Sequence, residues 1–147
     1  MRAIPYRLGI NEFEIMHIRY EQRLGHQADF KVRYRFYNKD ECGRSAIPYQ
    51  GYRSDFWYAH QDHNANEIFM IWPEFENLDG EVILQSDCSV NQSGTARMWI
   101  IVPERRPYHH YKIKLGTIGY FMEGAKKVAE CEVVELMGLL SNPVASQ

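Results

Sequence analysis

From Asp29 onward apolar and polar side chains alternate, with Phe30, Val32, Tyr34 and Phe36 on one side of an extended chain and Lys31, Arg33, Arg35 and Tyr37 on the other. A period of two over that length predicts a half-buried strand, and the run of turn formers from Asn38 to Gly43 ends it. After Pro48 and Gly51 comes a second β-rich run, Phe56-Trp57-Tyr58, and further strands are expected over 67–72, 81–85, 95–102, 111–115, 118–122 and 128–136. Pro73, Asp79-Gly80, Ser93-Gly94, Pro103, Pro107, Gly116 and Gly124 fall between these runs as breaks. Upstream, Ile10, Phe13, Met16, Tyr20 and Leu24 lie near one helical face, and Asn11 with Glu14 has capping-box spacing. A short helix over 11–24, stopped at Gly25, is therefore expected, although Phe13, Ile15, Met16, Ile18 and Tyr20 also fit a strand.

Six or more short strands with no helices alternating between them indicate an all-β, antiparallel sandwich or barrel. Three segments follow: an N-terminal extension over 1–28, the β-domain over 29–140, and a flexible tail over 141–147. A length of 147 residues suits one domain that buries roughly two thirds of its unfolded surface. Hydrophobic residues make up 45% and aromatic residues 14%, enough rings to fill a barrel and too apolar a composition for disorder. The longest apolar run, Met98 to Val102, is far short of the ~20 residues of a membrane span, and the first ten residues lack a signal pattern, so a cytoplasmic protein is expected. Cys42, Cys88 and Cys131 are odd in number and widely spaced, which points away from a disulfide framework or a paired-cysteine zinc site.

Charge divides the chain into three blocks. Residues 1–60 carry ten Lys/Arg against seven Asp/Glu, 61–96 none against seven, and 97–147 seven against five, for a net charge of -2. Basic flanks around an acidic middle form a much weaker footprint than the basic patch of a dedicated nucleic-acid binder.

Motif chemistry is sparse. There is no Gly-rich phosphate loop followed by Lys-Ser/Thr and no Gly-x-Ser-x-Gly elbow, which leaves no nucleotide site or serine-hydrolase nucleophile of those types. The best metal candidates are His60 and His63, with Asp62 nearby, and His109 and His110, which could share an ion if the fold joined the two loops. Solvated loop histidines are the simpler reading, since neither pair has the spacing of a zinc module. Rings at Tyr34, Phe36, Tyr49, Phe56, Trp57 and Tyr58 suit base stacking in principle, and core packing explains them at least as well.

The stretch from Phe30 to Tyr58, FKVRYRFYNKDECGRSAIPYQGYRSDFWY, resembles the opening of the third domain of translation elongation factor Tu. An alternating strand, then Lys39-Asp40-Glu41, Gly43-Arg44, Pro48-Tyr49, Gly51-Tyr52-Arg53, and finally Phe56 and Tyr58 match that family's pattern without a gap. Met98 to Pro103 resembles its apolar strand ending in proline, and Phe121-Met122-Glu123-Gly124 with Val128 to Val134 its closing turn and last strand. The likeness covers about two thirds of the chain and leaves the first 28 residues outside. It implies an antiparallel Greek-key barrel of six or more strands without catalytic residues of its own, which meets a GTPase domain, the backbone of aminoacyl-tRNA and a nucleotide exchange factor. Arg44 then corresponds to an arginine that approaches tRNA phosphate, and Glu123 with Gly124 to a turn on the same face. Three departures weaken that face: Ser45 replaces a histidine, Asp55 a glutamine, and Met122 an arginine. A carboxylate repels phosphate, and a lost arginine removes a counterion-releasing contact.

The expected function is that of a non-enzymatic, cofactor-free, stand-alone interaction domain. Its partner is expected to be a protein: a translation factor, the exchange factor, or a toxin for which this chain is an immunity or decoy protein. The alternative is a weak binder of tRNA or structured RNA through Arg33, Arg35, Arg44 and Arg53. A second alternative is an enzyme with a metal at the histidines.

Overall fold

The computed structural model describes residues 16–60 and 67–145. The alternation after Asp29 becomes β1 (Phe30–Phe36), which buries Phe30, Val32, Tyr34 and Phe36 and turns Lys31, Arg33 and Arg35 outward. The remaining strands are β2 (Asp55–Tyr58), β3 (Ile71–Phe75), β4 (Ser93–Ile100), β5 (Ile118–Glu123) and β6 (Lys126–Leu136). All pair antiparallel in one sheet of order β2-β5-β6-β1-β4-β3. Register shifts at Lys31/Val32 and at Phe121/Met122 bend the long strands, as bulges do. The two ends of the sheet thereby meet: Phe56 of β2 and Phe69, just before β3, exchange both backbone hydrogen bonds at 2.8 and 2.9 Å. The fold is an all-β antiparallel barrel, as the strand pattern implied.

Aromatic rings fill the barrel. Tyr34 touches Phe36, Phe75 and Phe121, and Phe56 touches Phe30, Tyr58 and Phe121, at centroid distances of 5.1 to 6.5 Å. Gly119 makes room for Phe56, since a Cβ there would lie 2.3 Å from that ring. A second cluster lies outside the barrel wall, where Tyr20 and Ala28 cover Trp99, with Trp72 alongside. Buried Glu74 ties this arm down, accepting from His17 Nε2 at 2.5 Å, the Tyr20 amide at 2.8 Å and the Trp99 indole at 3.2 Å.

Four expectations about elements are corrected. The only helix within 11–24 among the described residues is α1 (Tyr20–Leu24), closed by Gly25 at φ 78°; Met16 bridges Gln85 in extended form, and 11–15 lie outside the described residues. The strand expected over 67–72 runs instead from Ile71 through Pro73 to Phe75. Proline is tolerated because β3 is last in the sheet order and hydrogen-bonds as a ladder on one side only. Residues 81–85 form isolated bridges, Val82 with Glu76 and Gln85 with Met16, and no strand. Residues 111–115 are turns following a 3-10 turn (Pro103–Arg105) and α2 (Arg106–His109), whose first turns hold Pro103 and Pro107 at positions where a missing N–H forfeits no intrahelical hydrogen bond.

Helix α2 brings Arg106 into the interior. Its Nε donates to Asp29 at 2.7 Å and its Nη2 at 3.3 Å, while the Ile100 amide at 2.8 Å and Asn142 Nδ2 at 3.0 Å complete the carboxylate's partners. Arg106 also donates to the Ile100 carbonyl at 3.1 Å and to that of Pro143. Asn142 is buried, so the first residues of the segment read as a tail are packed against the start of β1.

Candidate functional site

Turn chemistry builds the first group of candidate residues. Asn38 and Glu41 form a capping box on a 3-10 turn (Lys39–Glu41), and Cys42 leaves it at φ 65°. Gly43 follows where a Cβ would lie 2.2 Å from the Tyr37 carbonyl oxygen, so only glycine fits. The chain is thereby aimed so that Arg44 Nε reaches Glu123 Oε2, at the end of β5, at 2.6 Å. Arg44 Nη1 donates to the Ala46 carbonyl at 2.6 Å, and its guanidinium lies 5.0 Å from the centre of the Tyr52 ring. The Tyr52 hydroxyl donates to the same Glu123 oxygen. Burial, helped by Glu123, pushes the Tyr52 hydroxyl above its ordinary range. Gly124, at φ 61°, takes the first central position of the two-residue β5–β6 turn, where glycine is favoured. Lys39, Ser45 and Lys126 join Arg44 and Glu123 around a shallow groove of about 440 Å³. Arg44 and Glu123, 79 positions apart, are thus in direct contact, and Tyr52 joins them at the same carboxylate oxygen.

The second group is a charge ladder on the outer face of β1. Arg33 lies 3.7 Å from Glu132 of β6. Arg35 holds Glu41 through two hydrogen bonds of 2.9 and 3.0 Å and reaches Glu130 at 3.3 Å. The Arg35 fork, with the Asn38 amide, holds the Glu41 carboxyl down to about 2. Lys31 and Arg97 share buried Glu76 at 3.1 and 2.7 Å. Burial opposes ionisation of Glu76, and the hydrogen bonds from Arg97, Thr95 and Lys31 outweigh it and carry its pKa below the usual range. A broad groove of about 630 Å³ crosses this face, with Ser93, Gly94 and Thr95 on one side and Ile118 and Tyr120 on the other. It is floored by paired charges of both signs.

The other candidates have different neighbours. Arg53 lies over the Trp72 ring at 4.5 Å and has no carboxylate partner among the described residues. Asp55 opens β2, half-buried and opposite Met122. On the same outer face Trp57 stacks beside Tyr120 at 5.9 Å, and Lys127 sits 4.0 Å from the Tyr120 ring. Trp57 is one of the rings weighed for base stacking, whereas no spacing along the chain distinguishes Trp72.

His60 and His109 do come near one another, each in contact with Tyr58, Phe69 and Tyr108. His109 is buried and its Nδ1 shares a 2.7 Å hydrogen bond with the Tyr58 hydroxyl. Burial, reinforced by Arg105, Lys112, His60 and Arg106, pushes this imidazole down to about 3. His110 lies against Tyr111, and His63 and Asp62 lie outside the described residues. Among the described residues no group of three or more His, Cys, Asp or Glu side chains is placed to hold a metal ion. No helix among them is long and apolar enough to cross a membrane.

In comparisons with protein-family models and with curated proteins, nothing matches the chain.

Proposed function

We propose that this chain is a non-catalytic β-barrel interaction domain that binds a protein partner. The observation that carries the reading is the internal pairing of the basic residues: Arg33, Arg35 and Arg44 each engage a glutamate of the barrel itself. Binding to a nucleic-acid backbone draws its free energy from cations that are free to replace condensed counterions, and an arginine already held by a carboxylate supplies less of it. A protein interface, in contrast, accommodates mixed charge around apolar and aromatic side chains. The groove over β1 and β6, with Ile118 and Tyr120 beside the Arg33–Glu132 and Arg35–Glu130 pairs, has that composition.

The resemblance of Phe30 to Tyr58 to the third domain of elongation factor Tu supports a partner from translation: a translation factor, the exchange factor, or a toxin against which the chain acts as immunity or decoy protein. The test is affinity purification of the tagged protein from nuclease-treated lysate, followed by reconstitution with whatever is recovered in stoichiometric amount, alongside a tRNA titration. Reconstituted binding of one protein at 1:1 supports the reading. Recovery of no stoichiometric protein, together with salt-dependent tRNA binding, overturns it in favour of an RNA-binding domain.

A further inference from the structure

Among the described residues, Arg33, Arg35, Arg44, Arg97, Arg105 and Arg106 all have carboxylate partners within 4 Å. Among the described residues the arginines without one are Arg19, Arg23 and Arg53; the first two belong to the cap and last turn of α1, on either side of Tyr20, and the third lies over Trp72, which packs in the same cluster as Tyr20. Burial pushes the Tyr20 hydroxyl above its ordinary range, and the positive charges of Arg53 and Arg23 oppose that shift. On a barrel that otherwise neutralises its arginines, Arg53 thus lies over Trp72 without a carboxylate partner among the described residues.

A second, independent observation points to a ligand at this place. Tyr20 is 5% exposed, and no acceptor takes the proton of its buried hydroxyl. Buried hydroxyls are nearly always hydrogen-bonded, so an orphan is the exception that needs a cause. Arg53 and Arg23 are donors only, and they leave the hydroxyl proton without an acceptor. Glu74, which accepts from the Tyr20 amide, is also taken up by His17 and the Trp99 indole. What the site lacks is an oxyanion from outside, which would accept from two guanidinium groups and the phenol together once the exposed Arg53 side chain rotates to meet it.

We propose that Tyr20, Arg23 and Arg53, set against the face of Trp72, form the anchor point for an acidic segment of the partner protein, taking one of its carboxylates. The proposal rests on the protein-binding reading above and specifies what that partner presents. Arginine, tyrosine and tryptophan are the residues that most often dominate interface energetics, and a forked guanidinium recognises a carboxylate in two hydrogen bonds. A nucleic-acid strand is the less suitable occupant, because a polyanion is tracked by a stripe of free cations. Here the neighbouring stripe, Lys31, Arg33 and Arg35 on β1, is held by Glu76, Glu132, Glu41 and Glu130.

The experiment uses the full chain, ¹⁵N-labelled, titrated with the tryptophan-free peptide acetyl-(Glu)8-amide and separately with tRNA, following the Arg53 Nε–H and Trp72 indole resonances. The peptide should shift both saturably. Arg53→Gln should weaken its binding by tenfold or more. Tyr20→Phe, which keeps the ring over Trp99, should weaken it by about threefold to tenfold at unchanged thermal midpoint. Absence of saturable shifts with the peptide, or unchanged affinity in Arg53→Gln, overturns the anchor. If the peptide fails while a stoichiometric protein partner still binds, the anchor alone falls. If tRNA shifts these resonances and the peptide does not, the protein-binding reading falls with it.

Discussion

Replacing Arg106 by methionine isolates the energetics of the most deeply buried ion pair in the described structure. Asp29 is 0% and Arg106 1% exposed at the side chain, so neither charge is screened by water. The substitution keeps much of the side-chain volume and leaves Asp29 with only the Ile100 amide and Asn142 Nδ2 as donors. Breaking one side of such a pair costs about 3–5 kcal/mol, because the remaining charge stays buried without compensation. Asp29→Asn should cost a similar amount, since it leaves Arg106 facing only the carbonyls of Ile100 and Pro143. The double variant removes both charges and should cost at least about 2 kcal/mol less than the two single losses added together. Equilibrium unfolding in urea, read by tryptophan fluorescence, resolves this: with a slope of about 2 kcal/mol/M, each single variant shifts the midpoint down by about 1.5–2.5 M. Single losses below about 1 kcal/mol, or losses that simply add in the double variant, would refute the reasoning.

Two further outcomes follow from the interior. His109 has its pKa pushed down to about 3 in the folded protein. As pH falls below the ordinary histidine value of about 6.5, the unfolded chain takes up a proton that the native state refuses, so stability drops by about 1.4 kcal/mol per pH unit until the folded pKa is reached. Between pH 7 and pH 5 this amounts to about 2 kcal/mol, and His109→Phe should lack that part of the pH dependence in urea unfolding. Gly119→Ala places a Cβ 2.3 Å from the Phe56 ring, which is fully buried. Overpacking of this kind costs about 1–3 kcal/mol, measurable as a lowered thermal midpoint, whereas Gly124→Asn at the exposed turn should cost less than 1 kcal/mol.

Local periodicity made the barrel legible where each strand buries one face. Phe30, Val32, Tyr34 and Phe36 announce β1 because every second residue enters the core, and the glycine at 124 marks the β5–β6 turn because its φ is positive. Legibility failed where a segment's fate depends on a distant partner. Pro73 is a break in isolation and a strand residue at the end of the sheet, and residues 111–115 carry strand-forming side chains yet follow a helix that Arg106 anchors to Asp29, 77 positions away. The same limit applied to the candidate site. Arg44 and Glu123 were singled out separately, and their 2.6 Å contact depends on how Gly43 aims the loop. That Arg33 and Arg35 face Glu132 and Glu130 depends on the β1–β6 register. The His60–His109 proximity arises from the meeting of the two sheet edges at Phe56 and Phe69, which no spacing in the chain announces.

Whether the arginines of this barrel are committed to its own glutamates is tested most directly by titrating the purified protein with tRNA at 50 and 200 mM salt. With Arg33, Arg35 and Arg44 held internally, no saturable binding is expected at either concentration. Saturable binding at 50 mM salt that falls with a log–log slope of about −2 or steeper, as three released phosphate contacts would give, would show those arginines free for RNA and contradict the protein-binding reading.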